Sequence, residues 1–311
     1  MKTSTVILAG LAAIASAVPT NTQFREMWSL AKRQNELAAA AGLTDVDILQ
    51  FALTLEWLET EFYRQGFAQF PQSDFTALGV NDLQFEDLLT IGRTEETHVT
   101  LLQSAIAQAG VAPVQPCQYN FGFTTAADMV AVAGVLEQVG VSAYLGAAPL
   151  VADAGILSTA GSILTIEARH QSLIRLLSAT AAAPGAFDTP LGPKAVFSLA
   201  APFIVSCPEG SNLALTAFPS LTLAQPADAS AVAINSNILF AEQVPGATHC
   251  GFTNGGVPGG TIFTPFTEGV GCVVPQNLAG ITYVTLTSQG PLTGAISDEI
   301  TLAGPMVLAI S

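Results

Sequence analysis

The 311-residue chain carries 9 Lys and Arg against 24 Asp and Glu, with 11% charged residues and a formal net charge of −15. So acidic and lysine-poor a surface argues against nucleic acid or anionic membrane as a partner, since both need clustered positive charge, and it favours metal cations instead. The length suffices for two domains, each with a core of its own.

The chain opens as an export signal. Lys2 precedes an apolar run over residues 6–15, and Ala15, Ser16 and Ala17 form a small-x-small cleavage site, so residues 1–17 read as a signal peptide too short to span a bilayer. Lys32 and Arg33 then resemble a kexin-type dibasic site, which makes residues 18–33 a propeptide and starts the mature protein at Gln34. The expected location is secreted, extracellular or in the cell wall, without stable membrane insertion.

Four amphipathic helices follow. The first, over about residues 45–66, places Leu49, Ala52, Leu53 and Tyr63 within roughly 60° of Glu56. Glu59 leans to the same side and could serve as a ligand or as an acceptor around the ligands, whereas Glu61 faces solvent. The second, over about 81–109, puts Ile91, Glu95, Leu102 and Ala105 beside His98. Residues 110–125, with Pro113, Pro116 and Cys117, form a long connection. The third helix, over about 126–147, aligns Val130, Ala133, Val141 and Tyr144 with Glu137, and its small residues Ala133, Gly134 and Gly140 permit close helix approach. The fourth, over about 152–181, gathers Ile163, Ile166, Leu173, Ile174 and Leu177 around Glu167 and His170, leaving Arg169, Gln171, Ser172 and Arg175 outside that arc. Pro184 and Gly185 end it.

Two of the chain's three histidines, His98 and His170, have a glutamate three residues earlier, Glu95 and Glu167. At 100° per residue the members of each pair lie one turn apart on one face and can reach a single ion. Glu56 and Glu137 each precede a tyrosine by seven residues, Tyr63 and Tyr144. Each helix thus turns a carboxylate toward its apolar face. Four ionised glutamates in one interior would repel one another and lose hydration worth several kcal/mol each. Two divalent cations balance them, with neutral His98 and His170 completing the shell; the alternative is a bundle whose carboxylates are protonated or hydrogen-bonded without metal. Oxygen-rich ligation with two imidazoles suits iron or manganese better than copper.

The series Glu56, Glu95-x-x-His98, Glu137, Glu167-x-x-His170 resembles the inward-facing ligands of ferritin-like four-helix bundles. The Glu56 to Tyr63 spacing is similar to that of ferritins and bacterioferritins, in which a tyrosine hydrogen-bonds within the site. Combined with an export signal and a β-rich tail, the pattern resembles the fungal ferritin-like proteins linked to stress, late sexual development and desiccation. The resemblance implies a bundle in which the second and third helices run parallel, so residues 110–125 must travel its length; sixteen extended residues reach roughly 50 Å. It also implies two iron or manganese ions held by Glu56, Glu95, His98, Glu137, Glu167 and His170. Tyr63 and Tyr144 would orient ligands or donate an electron, and dioxygen or peroxide would be the co-reactant. Non-catalytic metal binding and a structural role in the wall or spore coat are the alternatives, and homo-oligomerisation stays open.

Beyond about residue 200, Gly, Pro, Thr and Val dominate and helical periodicity stops. Residues 281–287 alternate apolar and polar as a half-buried strand does, and shorter strands fit 220–224, 231–240, 261–266 and 306–310. The expected class is α+β multidomain: a ferritin-like four-helix bundle over 34–200, then a β-sandwich-like domain over 201–311. Four cysteines in an exported chain suggest two disulfides, with three possible connectivities. The favoured one pairs Cys250 with Cys272 in one Gly-rich region and Cys117 with Cys207, stapling the long connection to the start of the second domain. His249, in a turn-rich stretch with no carboxylate at ligand spacing, reads as structural.

Overall fold

The computed structural model describes residues 43–211, 215–224 and 232–310. The expected signal peptide, the propeptide and the Lys32-Arg33 site lie outside the described residues. The helices are α1 (Asp45–Gln69), α2 (Gln72–Ala77), α3 (Asp82–Gln108), α4 (Ala126–Ala147), α5 (Ala154–Leu177) and α6 (Pro193–Ala200). The strands are β1 (Gln118–Tyr119), β2 (Ile204–Ser206), β3 (Asn237–Ile238), β4 (His249–Thr253), β5 (Thr261–Pro265), β6 (Cys272–Val273), β7 (Gly280–Thr287) and β8 (Thr301–Ile310). The α+β class is as expected.

The four long helices begin where side chains can satisfy their free N–H groups. Thr44 with Asp47, Asn81 with Gln84, and Thr125 with Asp128 form capping boxes on α1, α3 and α4, while the Asp153 carboxylate accepts from Gly155 and Ile156 at the start of α5. Each such cap contributes about 1 kcal/mol. Two short helices go beyond the sequence reading: α2 in the turn after Pro71, and α6, which packs on α4.

The connection from α3 to α4 runs along α1 from its first turns to its last. Gln50 Nε2 donates to Ala112 O at 2.7 Å and Trp57 Nε1 to Val114 O at 3.0 Å. Further along, Phe121 meets Phe62 and Phe123 meets Phe70 edge to face, with ring centroids 5.1 and 5.6 Å apart. This path returns the chain to the opposite end of the bundle, so α3 and α4 run parallel as the length of the connection requires. The Cys117–Cys207 disulfide and the β1–β2 pairing tie it to the segment after α6.

The main sheet is antiparallel, in the order β5-β4-β7-β8, beside a smaller β3-β6 pair that Cys250–Cys272 joins to β4. The stretch around His249, expected to be turns, is a central strand instead: β4 is paired on both edges, and its brief run from His249 to Thr253 lacks the length to show a period. The strands expected at 220–224 and 231–240 reduce to a Leu223–Phe240 bridge and β3, while residue 231 lies outside the described residues.

β7 is not half-buried but covered on both faces. Tyr283 enters the core under the helices, while Val284 and Leu286 enter a second core with Phe252 and Leu308. The polar side of β7 is satisfied internally, as where Asn254 Nδ2 donates to Thr282 Oγ1 at 3.0 Å. Tyr283 docks the sheet on α4, its hydroxyl lying 2.8 Å from Ser142 Oγ and donating to Gln138 O at 3.3 Å. The outer face of α4 is therefore interior too, and so is part of α5: Gln171 and Arg175, expected outside the apolar arc, are buried, with Gln171 Nε2 donating to Gln138 Oε1 at 3.3 Å.

Replacing Tyr283 by Phe leaves Ser142 Oγ buried without this partner and should destabilise the fold by about 1–2 kcal/mol. Urea unfolding should show a lower midpoint with an unchanged slope.

Candidate metal centre

The six candidate ligands converge in the middle of the bundle. Glu56 comes from α1, Glu95 and His98 from α3, Glu137 from α4, Glu167 and His170 from α5; all four carboxylates are fully buried and both imidazoles nearly so. His98 Nδ1 lies 3.2 Å from Glu56 Oε2, 3.1 Å from Glu95 Oε2 and 3.4 Å from Glu167 Oε1. His170 Nδ1 lies 2.8 Å from Glu95 Oε1 and 3.2 Å from Glu137 Oε2. Two ligand groups result, Glu56-Glu95-His98-Glu167 and Glu95-Glu137-Glu167-His170, each with one donor atom per residue and all of these within 4.8 Å of one another. Glu95 and Glu167 belong to both groups, whereas Glu56 and Glu137 each belong to one. The i to i+3 spacing explains the division, because each Glu-x-x-His turn sets its carboxylate between the two imidazoles.

Several of these atoms lack what a buried polar group needs. Glu95 Oε1, Glu137 Oε2, both oxygens of Glu167 and His170 Nδ1 are buried without a hydrogen-bond partner. His170 Nδ1 and Glu95 Oε1 approach to 2.8 Å, yet no aligned hydrogen bond forms between them. Such groups lose hydration without recompense unless a cation fills the space they face. The donor set and its orphaned lone pairs fit metal ions.

Charge regulation tells the same story. Burial pushes Glu56 up to about 7, raises Glu137, and drives Glu59 and Glu167 well above the usual carboxylate range. Burial opposes the charged form of Glu95 too, but the facing imidazoles of His170, 2.8 Å away, and His98, 3.1 Å away, prevail and hold it down at about 2. Burial disfavours the charged imidazoles, yet the facing carboxylates outweigh it and push His98 up to about 12 and His170 up to about 10. Without cations, protons do the neutralising.

The surrounding side chains fix the ligands crosswise. Tyr63 of α1 donates to Glu137 of α4, and Tyr144 of α4 donates to Glu56 of α1 at 2.5 Å. The antiparallel packing of α1 on α4 makes each tyrosine serve the glutamate of the other helix rather than the one seven residues before it. Thr94 escaped the sequence reading, since a threonine on one helix carries no signal that it meets an imidazole of another. Its hydroxyl donates to Ile91 O at 2.7 Å, and His170 Nε2 lies 3.0 Å away. Nε2 is then assigned as the N–H donor to Thr94, so Nδ1 is the nitrogen that would offer a lone pair once a cation displaces its proton. Gly140 does more than admit a neighbouring helix. A Cβ there would lie 2.6 Å from Glu167 Oε2 and 3.0 Å from Glu59 Oε1, so its missing side chain makes room for two carboxylates. Glu59, buried beside the cluster, is its fifth acid.

Residues 44–180 match the ferritin-like domain family. This segment is a ferritin-like domain. It contains the whole cluster, from Glu56 to His170, and the β-rich region follows it. The chain is also similar to Protein rds1 of Schizosaccharomyces pombe, at 26% identity over 241 residues, covering 76% of this chain and 54% of that protein. The chain thus spans about half the length of this curated relative.

The titrations of the ferritin-like domain set a pH dependence for metal-stripped protein. Raised carboxylates stabilise the fold below about pH 4.5 and lose that contribution as pH climbs toward their folded values; raised histidines lose theirs from about pH 6.5 upward. Glu95 acts oppositely, losing its contribution as pH falls toward about 2. Chelator-treated protein should therefore melt roughly 5–10 °C lower at pH 8 than at pH 5. Metal-loaded protein should show the reverse trend, because ligands bind metal deprotonated. Thermal melts across pH, with and without chelator, check both.

Proposed function

We propose that the ferritin-like domain holds two iron or manganese ions and carries out redox chemistry with dioxygen or peroxide, as a ferroxidase-like or peroxide-removing activity outside the cell. The supporting observation is the pair of four-residue ligand groups sharing Glu95 and Glu167. Glu56 and His98 would hold one ion, Glu137 and His170 the other, and the shared carboxylates both. When bound, two such ions would supply electrons for redox chemistry with dioxygen or peroxide.

The protein's own side chains prepare that chemistry. Tyr144 and Tyr63 hold the outer oxygens of Glu56 and Glu137, so these carboxylates keep their orientation when charge at the centre changes. Thr94 holds His170 in the tautomer that presents Nδ1. Glu59 is buried beside the cluster, and in the metal-free protein burial and the neighbouring glutamates drive it strongly toward its neutral form. The surrounding helices exclude bulk water, which strengthens each electrostatic interaction inside.

The two disulfides, which form in oxidising compartments, support a location outside the cell. Mineral storage in a closed shell is disfavoured, because the sheet and α6 cover the outer side of α4.

Metal analysis separates shared from unshared ligands. Wild-type protein reconstituted with Fe(II) or Mn(II) should hold two ions per chain, as the two groups require. Glu95→Ala and Glu167→Ala should abolish both sites, whereas Glu56→Ala and Glu137→Ala should each leave one ion. A wild-type stoichiometry well below two, or an undiminished one in Glu167→Ala, would count against the centre. Consumption of Fe(II) or peroxide by wild type but not Glu167→Ala tests for turnover and separates this reading from non-catalytic metal binding or a structural wall role.

A further inference from the structure

A cavity of about 320 Å³ lies at one end of the bundle, directly beyond the carboxylate cluster. Its position follows from helix geometry. Ala52 is four residues before Glu56 on α1, Leu102 four after His98 on α3, and Ile163 four before Glu167 on α5; all three line the cavity. Four residues of helix rise about 6 Å, so the lining is one turn from the ligands on three helices. On α4 the wall is Tyr144, whose hydroxyl donates to Glu56 Oε1 at 2.5 Å. One tyrosine thus borders the cavity and grips a candidate ligand.

The chemistry of the walls is one-sided. Apart from Tyr144, the polar side chains lining the cavity are Asp153 and Thr159, both in the exposed rim where α5 begins. An engineered apolar cavity of about 150 Å³ takes up benzene, so this one has room for a molecule with about ten to fifteen non-hydrogen atoms. It is far larger than dioxygen or peroxide requires. Charge decides what kind of molecule fits. The Asp153 carboxylate is pinned at the rim by Gly155 N and Ile156 N, and Asp45 beside it by Ala152 N and Asp153 N. These bonds occupy backbone donors at the start of α5 that could otherwise receive an anion. With acidic groups at the rim and no Lys, Arg or His in the lining, a carboxylate-bearing ligand meets repulsion at the entrance and finds no counter-charge inside.

We propose that this cavity is the organic-substrate pocket of the metal centre, and that it takes an uncharged apolar molecule of medium length, such as an aliphatic alcohol. The assignment as a substrate pocket rests on the di-metal reading; binding of the molecule does not. Tyr144 is the positioning residue that transmits occupancy of the pocket to Glu56.

Calorimetry on the full chain with decan-1-ol and decanoate, with and without bound Mn(II), provides the test. Decan-1-ol should bind one per chain, at least tenfold more tightly than decanoate. Ala160→Phe, inside the cavity, and Thr159→Trp, at its exposed rim, should each weaken binding at least tenfold without changing the Mn(II) count. Decan-1-ol should also alter the Mn(II) electron paramagnetic resonance spectrum of wild type and leave that of Ala160→Phe unchanged. No binding to the full chain, equal or tighter binding of decanoate, or binding indifferent to both substitutions overturns the pocket. Binding with an unperturbed spectrum overturns its role as substrate pocket. A chain that binds decan-1-ol but takes up no metal overturns the di-metal function and leaves the pocket standing.

Discussion

Concentrated negative charge in a dry interior is the constraint on which the rest of this structure depends. Glu56, Glu59, Glu95, Glu137 and Glu167 share the centre of the bundle, and only His98 and His170 face them with positive charge among the groups that shift their titration. An uncompensated buried charge costs several kcal/mol, while a whole domain is typically stable by about 5–15 kcal/mol. A few unbalanced carboxylates would therefore exceed the stability of the fold. Protons can balance them at acidic pH, and bound cations would do so at neutral pH, so any metal occupancy would be tied to stability and pH.

Much of the remaining architecture holds that charge in place. Four capped helices supply rigid positions, and the connection along α1 brings α4 back parallel to α3. Crosswise tyrosines then tie α1 to α4 through Glu137 and Glu56. Gly140 lets two carboxylates approach α4 more closely than any side chain would allow. On the other side of α4, Tyr283 and the sheet bury the face that a free-standing bundle would leave in water. The β-rich region is part of the support of the centre, since movement of α4 would move Glu137 and Tyr144.

The two ends of the bundle are unlike. Phe67, Phe75 and Phe85 pack together beyond Tyr63, whereas beyond Tyr144 the small side chains of Ala52, Ala143, Ala147 and Ala160 leave open space. The ligand set is nearly symmetric, with one glutamate, one histidine and one tyrosine on each side. Access is not, and chemistry at such a centre would be directed from one end.

The sequence by itself determined the four long helices, the inward direction of the four glutamates and the pairing of glutamate with histidine, because these depend on spacing along one helix and on local caps. It also made the ferritin-like character of residues 44–180 legible, since two Glu-x-x-His turns in a chain with three histidines are a short-range pattern. Only the tertiary structure decided what depends on how helices face one another: which tyrosine serves which glutamate, that Thr94 orients His170, that Gly140 is empty space for Glu59 and Glu167, and that Gln171 and Arg175 are buried. Likewise β4 and the two-sided burial of β7 follow from long-range pairing, which a five-residue strand does not announce. The physical reason is range. Periodicity and capping act within a few residues, whereas packing brings together atoms separated by up to 145 positions, as between Gln138 and Tyr283.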